Sequence, residues 1–577
     1  MNLHERTGFA SKDRPWLKWH ESTACYDYED YNNFYEYFKH QTAVYGDGNI
    51  CLMEYNGVQM FRNDVITEVD LRAKQLNCAG ISHGDIVSLM MLNTPEVIIL
   101  LLALSKIGAI CNLIKYDETP DRVNEMLCLT SSKYLFVAQL PFLIQTASAV
   151  TRLNSNLNKI VYVPLMPNAE PVEDGFVSYL DFFNSIDTTN ENSFERTNYN
   201  DTCVIVYTGG TTGTSKGIEL THRNVMAMTY GLKHSNYGFV FGKRSMNILP
   251  PAVAYYLNAT VGLMVCGVSV LFIPFFQIED YPNLVAQTRP NVIYSGPILL
   301  KIMEKSNIAD FSYLTNPVSG GDKLYPAEEI EINEGLAKKG CLSPIQQGYG
   351  ESEVSAVATC NPQGHTVIGS IGIPMQNVLL SIFEHGTDIE LPYGKDAIGE
   401  ICISGPTLMK GYYKDPDATN QVLRLHSDGQ YWIHTDDLGK IDNDGFIFHC
   451  GRAKRMLTRS GNKVWMSTIE AEASELDFVV ECCAVKMYDP DEREVPVLHM
   501  IVKDGTAIGR ELVNLIDDRI IKKCSEQYIP KYYIVRKSIP YTETNKKMDY
   551  RALEKEDIFG DDYSINADRL IIHNSML

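Results

Sequence analysis

Residues 204–217 read Val204-Ile205-Val206-Tyr207-Thr208-Gly209-Gly210-Thr211-Thr212-Gly213-Thr214-Ser215-Lys216-Gly217. The first four residues are an apolar run bounded by turn-forming residues, which predicts a buried strand. The glycines that follow tolerate positive φ, so neighbouring backbone N–H groups can point into one anion-binding concavity. The hydroxyl side chains add donors and Lys216 adds a positive charge. The stretch therefore predicts a strand followed by a phosphate-binding loop.

The spacing within this loop differs from that of the Walker sequence. Lys216 lies three residues after Gly213, whereas the Walker lysine directly follows a glycine. A flexible polar linker is the alternative interpretation of so many small residues. A linker seldom follows a buried strand directly and ends in Lys-Gly, so we favour the phosphate loop.

Composition and charge limit the class of protein. The chain has 577 residues, of which 45% are hydrophobic and 21% are charged, as in globular proteins of several layers or domains. The net charge of −21 argues against a nucleic-acid partner and against an anionic membrane. An anionic substrate would need a local positive site, and the phosphate loop offers one.

Cysteine usage and hydropathy predict a cytoplasmic protein. The 14 cysteines include no C-x-x-C pair, which indicates a reducing compartment and no zinc cluster. The first 19 residues are polar and lack a signal-peptide core. The apolar runs Val97–Leu104 and Val261–Phe276 are short or interrupted, so we predict buried elements and no transmembrane segment.

The first part of the chain alternates helical and strand patterns. Asp64–Ala79 has helical apolar spacing, and Asp85–Met91 is typical of a strand. Thr94-Pro95-Glu96 opens a helix with proline in its first turn. Tyr134–Val137 and Lys159–Val163 are further predicted strands. This alternation predicts an α/β domain with a parallel sheet.

The phosphate loop resembles that of the adenylate-forming (ANL) superfamily of AMP-binding enzymes, which contains acyl-CoA synthetases, luciferases and peptide-synthetase adenylation domains. The usual loop reads Tyr-Thr-Ser-Gly-Thr-Thr-Gly-x-Pro-Lys-Gly, and here Gly209 replaces the serine and Ser215 the proline. The resemblance implies that Lys216 is catalytic and that Thr212 also contacts the metal. It assigns nucleotide binding to Thr208, Gly209, Gly210, Thr211, Thr212 and Gly213.

Tyr349-Gly350-Glu351-Ser352-Glu353 resembles the superfamily's Tyr-Gly-x-Thr-Glu motif, with Ser352 in place of threonine. The resemblance implies that Tyr349 stacks on adenine, that Gly350 belongs to the nucleotide site and that Ser352 contacts phosphate. Glu353 would bind Mg²⁺ and take part in catalysis. Mg²⁺ prefers hard oxygen ligands, often one carboxylate with nucleotide phosphates. A surface turn with incidental acids is the alternative.

Two further segments resemble pocket walls of the superfamily. The turn after Val318 would place Gly321 and Asp322 beside adenine. The predicted acyl pocket consists of Ala254, Tyr255, Gly320 and Gly348. No acidic residue lies between Leu249 and Phe276. Because a buried ammonium without a partner is costly, we expect a substrate without an α-amino group.

Tyr431–Gly439 resembles the Trp-x-x-Thr-Gly-Asp motif, with Asp436 in place of glycine. The resemblance implies that Asp437 and Arg452 bind the ribose and that Lys454 is the interdomain hinge. Near the end, Pro540–Leu553 resembles the segment that carries the adenylation lysine, but it is one residue longer. Matching backward from Leu553 gives Lys547, which we prefer, and matching forward gives Lys546.

Together the motifs predict a large N-terminal layered α/β domain with a β-subdomain, residues 1–450, including an N-terminal arm of residues 1–45. A C-terminal α+β lid, residues 451–577, would follow. The resemblance implies an acyl-CoA synthetase-like ligase of fatty acid metabolism that uses ATP, Mg²⁺ and CoA to convert a carboxylic acid to its thioester. Two alternatives remain: a stand-alone adenylation enzyme that loads a carrier protein, and a nucleotide-binding protein that has lost catalysis.

Overall fold

The computed structural model describes residues 6–20, 27–46, 48–154, 156–165, 172, 175–189, 194–207, 216–459, 462–541, 548–567 and 569–576. Several predicted site residues lie outside the described residues, and their roles stay predictions. They are Thr208, Gly209, Gly210, Thr211, Thr212, Gly213, Lys546 and Lys547.

The described α-helices are, in chain order, α1 Ala10–Asp13, α2 Phe34–Ala43, α3 Arg62–Cys78, α4 Pro95–Ile107, α5 Pro120–Thr130, α6 Pro141–Leu153, α7 Tyr179–Asn184, α8 His222–His234, α9 Ala254–Leu257, α10 Leu263–Val265, α11 Tyr281–Thr288, α12 Pro297–Lys305, α13 Pro326–Lys338, α14 Pro416–Val422, α15 Met466–Ser474, α16 Arg510–Lys523 and α17 Tyr550–Glu554. A π-helical turn, Asn258–Gly262, joins α9 to α10.

The described strands are, in chain order, β1 Cys51–Tyr55, β2 Val58–Phe61, β3 Ile86–Met90, β4 Ile110–Leu113, β5 Tyr134–Ala138, β6 Lys159–Val163, β7 Phe176–Ser178, β8 Thr202–Tyr207, β9 Gly217–Thr221, β10 Arg244–Asn247, β11 Ser269–Phe272, β12 Val292–Ser295, β13 Asn316–Ser319, β14 Gln346–Tyr349, β15 Thr359–Cys360, β16 Ile373–Pro374, β17 Leu379–Phe383, β18 Gly399–Ser404, β19 Gly411–Tyr412, β20 Leu423–Leu425, β21 Tyr431–Ile441, β22 Ile447–Arg452, β23 Met456–Arg459, β24 Asn462–Trp465, β25 Val479–Asp489, β26 Arg493–Val502, β27 Tyr532–Val535, β28 Tyr563–Ala567 and β29 Leu570–His573.

One large sheet carries the strand that precedes the phosphate loop. Across the described chain its order is β19-β9-β8-β4-β3-β5-β6-β7, and the strands from β8 to β7 pair in parallel. Every residue of β8 is buried, as expected for an apolar run between two neighbours. The predicted parallel sheet is therefore confirmed.

A second large sheet packs with the first around one core. Its order within the described residues is β16-β15-β14-β13-β12-β10-β11-β1-β2, parallel from β14 to β1 and antiparallel at both ends. Helix α4 contacts β1 of this sheet and β4 and β8 of the first sheet. A helix covered on both sides is apolar all round, which explains the run Val97–Leu104. No described helix is long and apolar enough to cross a membrane.

The rest of the chain forms a small β-sheet unit and a C-terminal α+β unit. Strands β17, β18, β20, β21 and β22 form one antiparallel sheet. Strands β25 to β29 form a mixed sheet in the order β25-β26-β27-β29-β28, in which β27 pairs in parallel with β26 and β29. The hydrophobic clusters of residues 457–571 are separate from those of residues 10–447. The fold is thus the predicted large N-terminal α/β domain followed by a small C-terminal domain.

The N-terminal arm is integrated into the main core. Trp16 is fully buried there. It packs against the hairpin between β21 and β22, where a Cβ on Gly445 would lie 2.6 Å from the Trp16 backbone nitrogen. The Trp19 indole donates a hydrogen bond of 2.9 Å to the Asp444 carbonyl in the same hairpin. Residues 442–445 form the turn between β21 and β22, and the arm covers this turn.

We expect Trp16→Ala to lower the free energy of unfolding of the N-terminal domain by about 3–5 kcal/mol, because a large buried side chain would leave a cavity. Leu17→Ala is the control, since Leu17 is 42% exposed on the same turn and its loss should cost little. Urea titration followed by tryptophan fluorescence measures both. A loss below about 1 kcal/mol for Trp16→Ala would show that the arm does not stabilise the domain.

Candidate active site

The candidate site forms where parallel strands of the second sheet end. Strands β13 and β14 are neighbours and run in the same direction, so the turns that follow them meet at one edge. The first turn carries Gly320 and Gly321, and the second carries the segment 349–353. Two of the predicted motif segments, distant in sequence, are therefore adjacent.

A cavity of about 110 Å³ lies at this edge, several times the volume that one water needs. It is lined by residues of both predicted halves of the site, among them Phe239, Tyr255, Tyr294, Gly320, Gly321, Gly348, Tyr349, Gly350 and Ser352. Asp322, on the same turn as Gly321, is exposed and does not line the cavity. Predicted acyl residues (Tyr255, Gly320 and Gly348) and predicted nucleotide residues (Gly321, Tyr349, Gly350 and Ser352) thus share one space.

A Cβ would meet a close neighbour at two glycines of the cavity, a side chain at Gly320 and backbone at Gly350. A Cβ on Gly320 would lie 2.7 Å from the Tyr255 hydroxyl oxygen, and a Cβ on Gly350 would lie 1.9 Å from the Ala356 carbonyl oxygen. A Cβ on Gly348 would approach the Thr359 carbonyl oxygen to 3.2 Å. Side chains at these positions would fill the cavity or displace the backbone.

The role of Ala254 as a pocket residue stays a prediction. Ala254 is fully buried in the main core and does not line the cavity. It begins helix α9, and the adjacent residue Tyr255 presents its ring to the cavity instead. Successive residues on an α-helix point about 100° apart, so Ala254 and Tyr255 face different surroundings although they are adjacent in sequence.

The cavity wall contains two polar atoms without a hydrogen-bond partner among the described residues. They are the Asn258 side-chain oxygen and the Tyr255 hydroxyl. Asn258 is only 1% exposed. Leaving a buried polar atom unpaired costs roughly 1–3 kcal/mol, so a partner supplied by a bound group or by a small local rearrangement would be stabilising here.

The predicted ribose residue Asp437 is the centre of a buried polar cluster. Its Oδ2 accepts a hydrogen bond of 2.9 Å from the Tyr349 hydroxyl, and its Oδ1 lies 2.9 Å from Arg452 Nε and 3.3 Å from His449 Nε2. Burial alone would raise the pKa of Asp437, but the contacts with His449, Arg452 and Tyr349 lower it below its ordinary value. Asp437 is therefore an ionised acceptor that joins three segments of the site.

Glu353 lies in a short 3₁₀ turn, Ser352–Val354, next to the cavity. Its Oε1 accepts a hydrogen bond of 2.8 Å from the Tyr412 hydroxyl, and its carbonyl accepts one of 2.8 Å from Met409 N–H. Lys216 Nζ lies 4.8 Å from the centre of the Tyr412 ring. The structure thus brings the predicted metal ligand and the predicted catalytic lysine to the same tyrosine. A carboxylate in this position fits Mg²⁺, which prefers hard oxygen ligands.

Sequence reasoning missed Glu351, which also lines the cavity. Its Oε1 lies 3.5 Å from Arg452 Nη2. Burial and the neighbouring charges of Glu353 and Asp437 raise its pKa well above the ordinary glutamate value. The sequence could have indicated this position, because Glu351 lies between Gly350 and Ser352, two predicted nucleotide residues. The segment 249–276, which contains no acidic residue, therefore forms only part of the cavity wall, and Glu351 adds an acidic side chain to that wall.

Comparison with known proteins decides the family. The sequence profile of the family described as AMP-binding enzyme matches residues 38–413. The chain belongs to this family. "Probable 4-coumarate--CoA ligase 1" of Dictyostelium discoideum is 29% identical over 466 residues, 77% of this chain and 81% of that protein. "Long-chain-fatty-acid--CoA ligase" of Bacillus subtilis (strain 168) is 26% identical over 531 residues, 87% of this chain and 91% of that protein.

Solved structures of similar proteins share the fold of this AMP-binding enzyme. ATP-bound MatB from Rhodopseudomonas palustris has a TM-score of 0.77 at 22% identity, covering 90% of this chain and 100% of that one. The anthranilate CoA ligase AuaEII with anthranoyl-AMP has a TM-score of 0.76 at 21% identity, covering 90% and 96%. The predicted adenylate-forming superfamily, its fold and the AMP-forming acid–thiol ligase class are confirmed.

In this AMP-binding enzyme, Asp436 faces the predicted hinge. Its φ is +61°, a conformation that glycine adopts easily and that aspartate tolerates better than most residues. Its Oδ2 lies 2.7 Å from Lys454 Nζ, and its Oδ1 lies 3.1 Å from His385 Nε2. The superfamily usually has glycine at this position of the motif. Here Asp436 takes the left-handed conformation that glycine favours, and it forms an ion pair with Lys454.

Further contacts join the small C-terminal domain of the AMP-binding enzyme to the large one. The Tyr325 hydroxyl donates a hydrogen bond of 3.2 Å to Glu470 Oε2. Tyr541 lies close enough to Asp322 for that charge to help raise its pKa, after burial and the Glu481 contact. Tyr541 directly precedes residues 542–547, so one flank of the predicted lysine segment approaches the candidate site.

We expect Asp437→Ala to weaken ATP binding about 10- to 150-fold, because a charged hydrogen-bond partner worth about 1.5–3 kcal/mol is lost. Isothermal titration with ATP measures the change. Asp444→Ala is the control for net charge, since Asp444 lies exposed in the hairpin after the same strand. Unchanged affinity in Asp437→Ala would remove Asp437 from the nucleotide site.

We expect Asp436→Gly to keep the fold, because glycine adopts the same φ without strain, and to loosen the hinge by removing the ion pair to Lys454. A pair this exposed is worth about 0–1 kcal/mol, so hydrogen exchange of residues 453–455 should accelerate at most about fivefold. Asp436→Asn is the matched variant, because asparagine also tolerates this conformation but lacks the charge. If residues 453–455 exchange at the wild-type rate in both variants, the ion pair between Asp436 and Lys454 does not hold the hinge.

Proposed function

We propose that this enzyme activates a carboxylic acid with Mg·ATP, forming an acyl-adenylate and pyrophosphate, and then transfers the acyl group to the thiol of CoA. One observation carries the proposal. A single cavity is lined both by Tyr349 and Ser352, which are predicted nucleotide residues, and by the aromatic residues Tyr255 and Tyr294. A nucleotide and an acyl group bound there would be in direct contact, as formation of a mixed anhydride requires.

The nucleotide half of the proposed site rests on the Asp437 cluster. An ionised carboxylate accepts hydrogen bonds from both ribose hydroxyls, and Arg452 beside it adds a donor. Tyr349 offers a ring for adenine to stack on. The remaining proposed nucleotide contacts are Gly321, Asp322, Gly350, Ser352 and the phosphate-loop residues 208–213.

In the first proposed step the substrate carboxylate attacks the α-phosphate and pyrophosphate leaves. Little covalent chemistry is required of the protein, so catalysis is positioning and stabilisation of phosphate charge. Lys216 and Lys547 supply positive charge in this proposal, and Glu353 with Thr212 would hold Mg²⁺. Bound there, the cation would neutralise charge on the phosphate oxygens.

The properties of the cavity favour a compact acid that carries a hydrogen-bond donor. Its volume of about 110 Å³ is small beside the 300–1,000 Å³ of typical ligand pockets. The unpartnered oxygens of Asn258 and Tyr255 would accept hydrogen bonds from such a donor. Relatives named for 4-coumarate and a neighbour named for anthranilate fit this description better than a long-chain fatty acid does.

CoA is the proposed acceptor because the similar curated proteins are named as CoA ligases. A carrier-protein thiol is the second candidate, and we retain it because the chemistry of thioester formation is the same. The third candidate, a nucleotide-binding protein without catalysis, rests on the departures at Gly209, at Asp436 and at Asn545-Lys546-Lys547. We further propose a cytoplasmic location.

A screen of carboxylic acids tests the proposal. We expect pyrophosphate exchange with a hydroxylated aromatic acid such as 4-coumarate to exceed that with cinnamate, which lacks the donor, and that with palmitate. Addition of CoA should then release AMP and give the CoA ester. Gly320→Ala is the control variant, because its Cβ would narrow the cavity beside Tyr255 and reduce acid turnover without weakening ATP binding.

The results of this screen separate the three candidate functions. Exchange without a CoA ester would favour a carrier-protein acceptor. No exchange with any acid would favour the protein without catalysis. Exchange with one amino acid alone would overturn the expectation of a substrate without an α-amino group.

We expect Lys547→Ala to reduce acyl-adenylate formation about a hundredfold, by analogy with the loss of one preorganised electrostatic donor. Thioester formation from a pre-made acyl-adenylate should be nearly unchanged, because a lysine on a rotating lid serves only one of the two steps. Single-turnover measurements of each step provide the test. Lys546→Ala is the paired variant: if it alone abolishes the first step, the alignment is wrong by one residue. If neither variant matters, this segment is not catalytic.

A further inference from the structure

One residue outside all the predicted motifs contacts two of them. Tyr412 lies on β19, the edge strand that pairs antiparallel with β9, and its partner in register is Ile218. Strand β9 begins at Gly217, directly after the phosphate-loop lysine Lys216. The short segment 409–413, which we call the strap, therefore lies beside the end of the phosphate loop.

Backbone hydrogen bonds fix the strap on two sides. Tyr413 N–H donates to the Gly217 carbonyl at 2.7 Å, and Lys410 N–H donates to the Glu219 carbonyl at 2.9 Å. On the other side, Met409 N–H donates to the Glu353 carbonyl at 2.8 Å. The strap thus joins the first sheet, which carries Lys216, to the turn of the second sheet that carries Glu353.

The Tyr412 side chain connects the same two elements. Its hydroxyl donates to Glu353 Oε1 at 2.8 Å, and its ring centre lies 4.8 Å from Lys216 Nζ. The side chain is nearly buried, at 8% exposure. A phenol is protonated at neutral pH, so the Tyr412 hydroxyl is the donor in this hydrogen bond.

We propose that Tyr412 is a positioning residue that sets Glu353 for the metal ion and Lys216 for the nucleotide phosphates. This proposal rests on the proposed function, because both contacts serve Mg·ATP. A hydrogen bond to one carboxylate oxygen fixes the orientation of Glu353 and leaves its second oxygen as the proposed ligand. The electron-rich ring face attracts the Lys216 ammonium and restricts where it can lie.

The alternative is that Tyr412 only fills space in the core. The two roles differ in what the hydroxyl contributes, because Tyr412→Phe keeps the ring and removes the hydrogen bond. Tyr413→Phe is the matched control. It removes a hydroxyl from the adjacent residue, whose ring lies against Lys414 rather than against Glu353.

The test measures binding of α,β-methylene-ATP to the full chain by calorimetry, first in EDTA and then across a Mg²⁺ titration. We expect Tyr412→Phe to bind the analogue in EDTA within about twofold of wild type and to require about 10- to 100-fold more Mg²⁺ for full affinity. We expect Tyr412→Leu, which also removes the ring, to bind more weakly in EDTA as well. Tyr413→Phe should match wild type throughout.

A double-mutant cycle with Glu353→Gln distinguishes positioning from packing. If Tyr412 acts through Glu353, the Tyr412→Phe effect on the Mg²⁺ requirement should disappear in the Glu353→Gln background. A wild-type Mg²⁺ titration for Tyr412→Phe would overturn the inference and leave the proposed function standing. An equal loss of affinity in EDTA and in Mg²⁺, with a lower melting temperature, would overturn it in favour of packing. Absence of analogue binding by wild type would overturn the proposed function itself.

Discussion

The Asp437–Arg452 pair is the contact on which the candidate site depends. The Asp437 side chain is only 3% exposed, and a buried carboxylate without partners would be strongly destabilising. Arg452, His449 and Tyr349 compensate this charge, and each can do so only if its own strand is in register. The contacts of Asp437 with these three residues therefore hold strands β14, β21 and β22 together. Since Arg452 is the last residue of β22, the pair also anchors the strand that leads to the predicted hinge at Lys454.

The sequence predicts most of this arrangement because its motifs consist of short contiguous runs. Strand β8 follows from a local apolar pattern alone. The roles proposed for Asp437 and Glu353 come from the resemblance, and the structure brings both residues to one edge with Tyr349. Residues of one contiguous run keep their relative positions along a strand. A role assigned from the spacing within a motif therefore carries over well between related chains.

Prediction fails where an environment is made by residues distant in sequence. The consequence of aspartate at position 436 depends on His385 and Lys454, which no local pattern links to it. Neighbouring positions on helix α9 are also hard to distinguish from sequence, since successive side chains are turned by about 100°, and of Ala254 and Tyr255 only Tyr255 lines the cavity. Glu351 was overlooked because a motif records it as a variable position, although its neighbours force it into the same space.

The two halves of the site belong to different sheets, and this arrangement raises a physical problem. Lys216 ends the phosphate loop on the first sheet, while Glu353 follows a strand of the second. Reactive groups must be held to within a fraction of an ångström for preorganisation to be effective. Packing between sheets through apolar side chains is non-directional and cannot fix such a relation. Directional hydrogen bonds can, and residues 409–413 make them to both sheets. Strand β19 and the residues beside it therefore give directional contacts to both elements that carry the charged groups Mg·ATP would bridge.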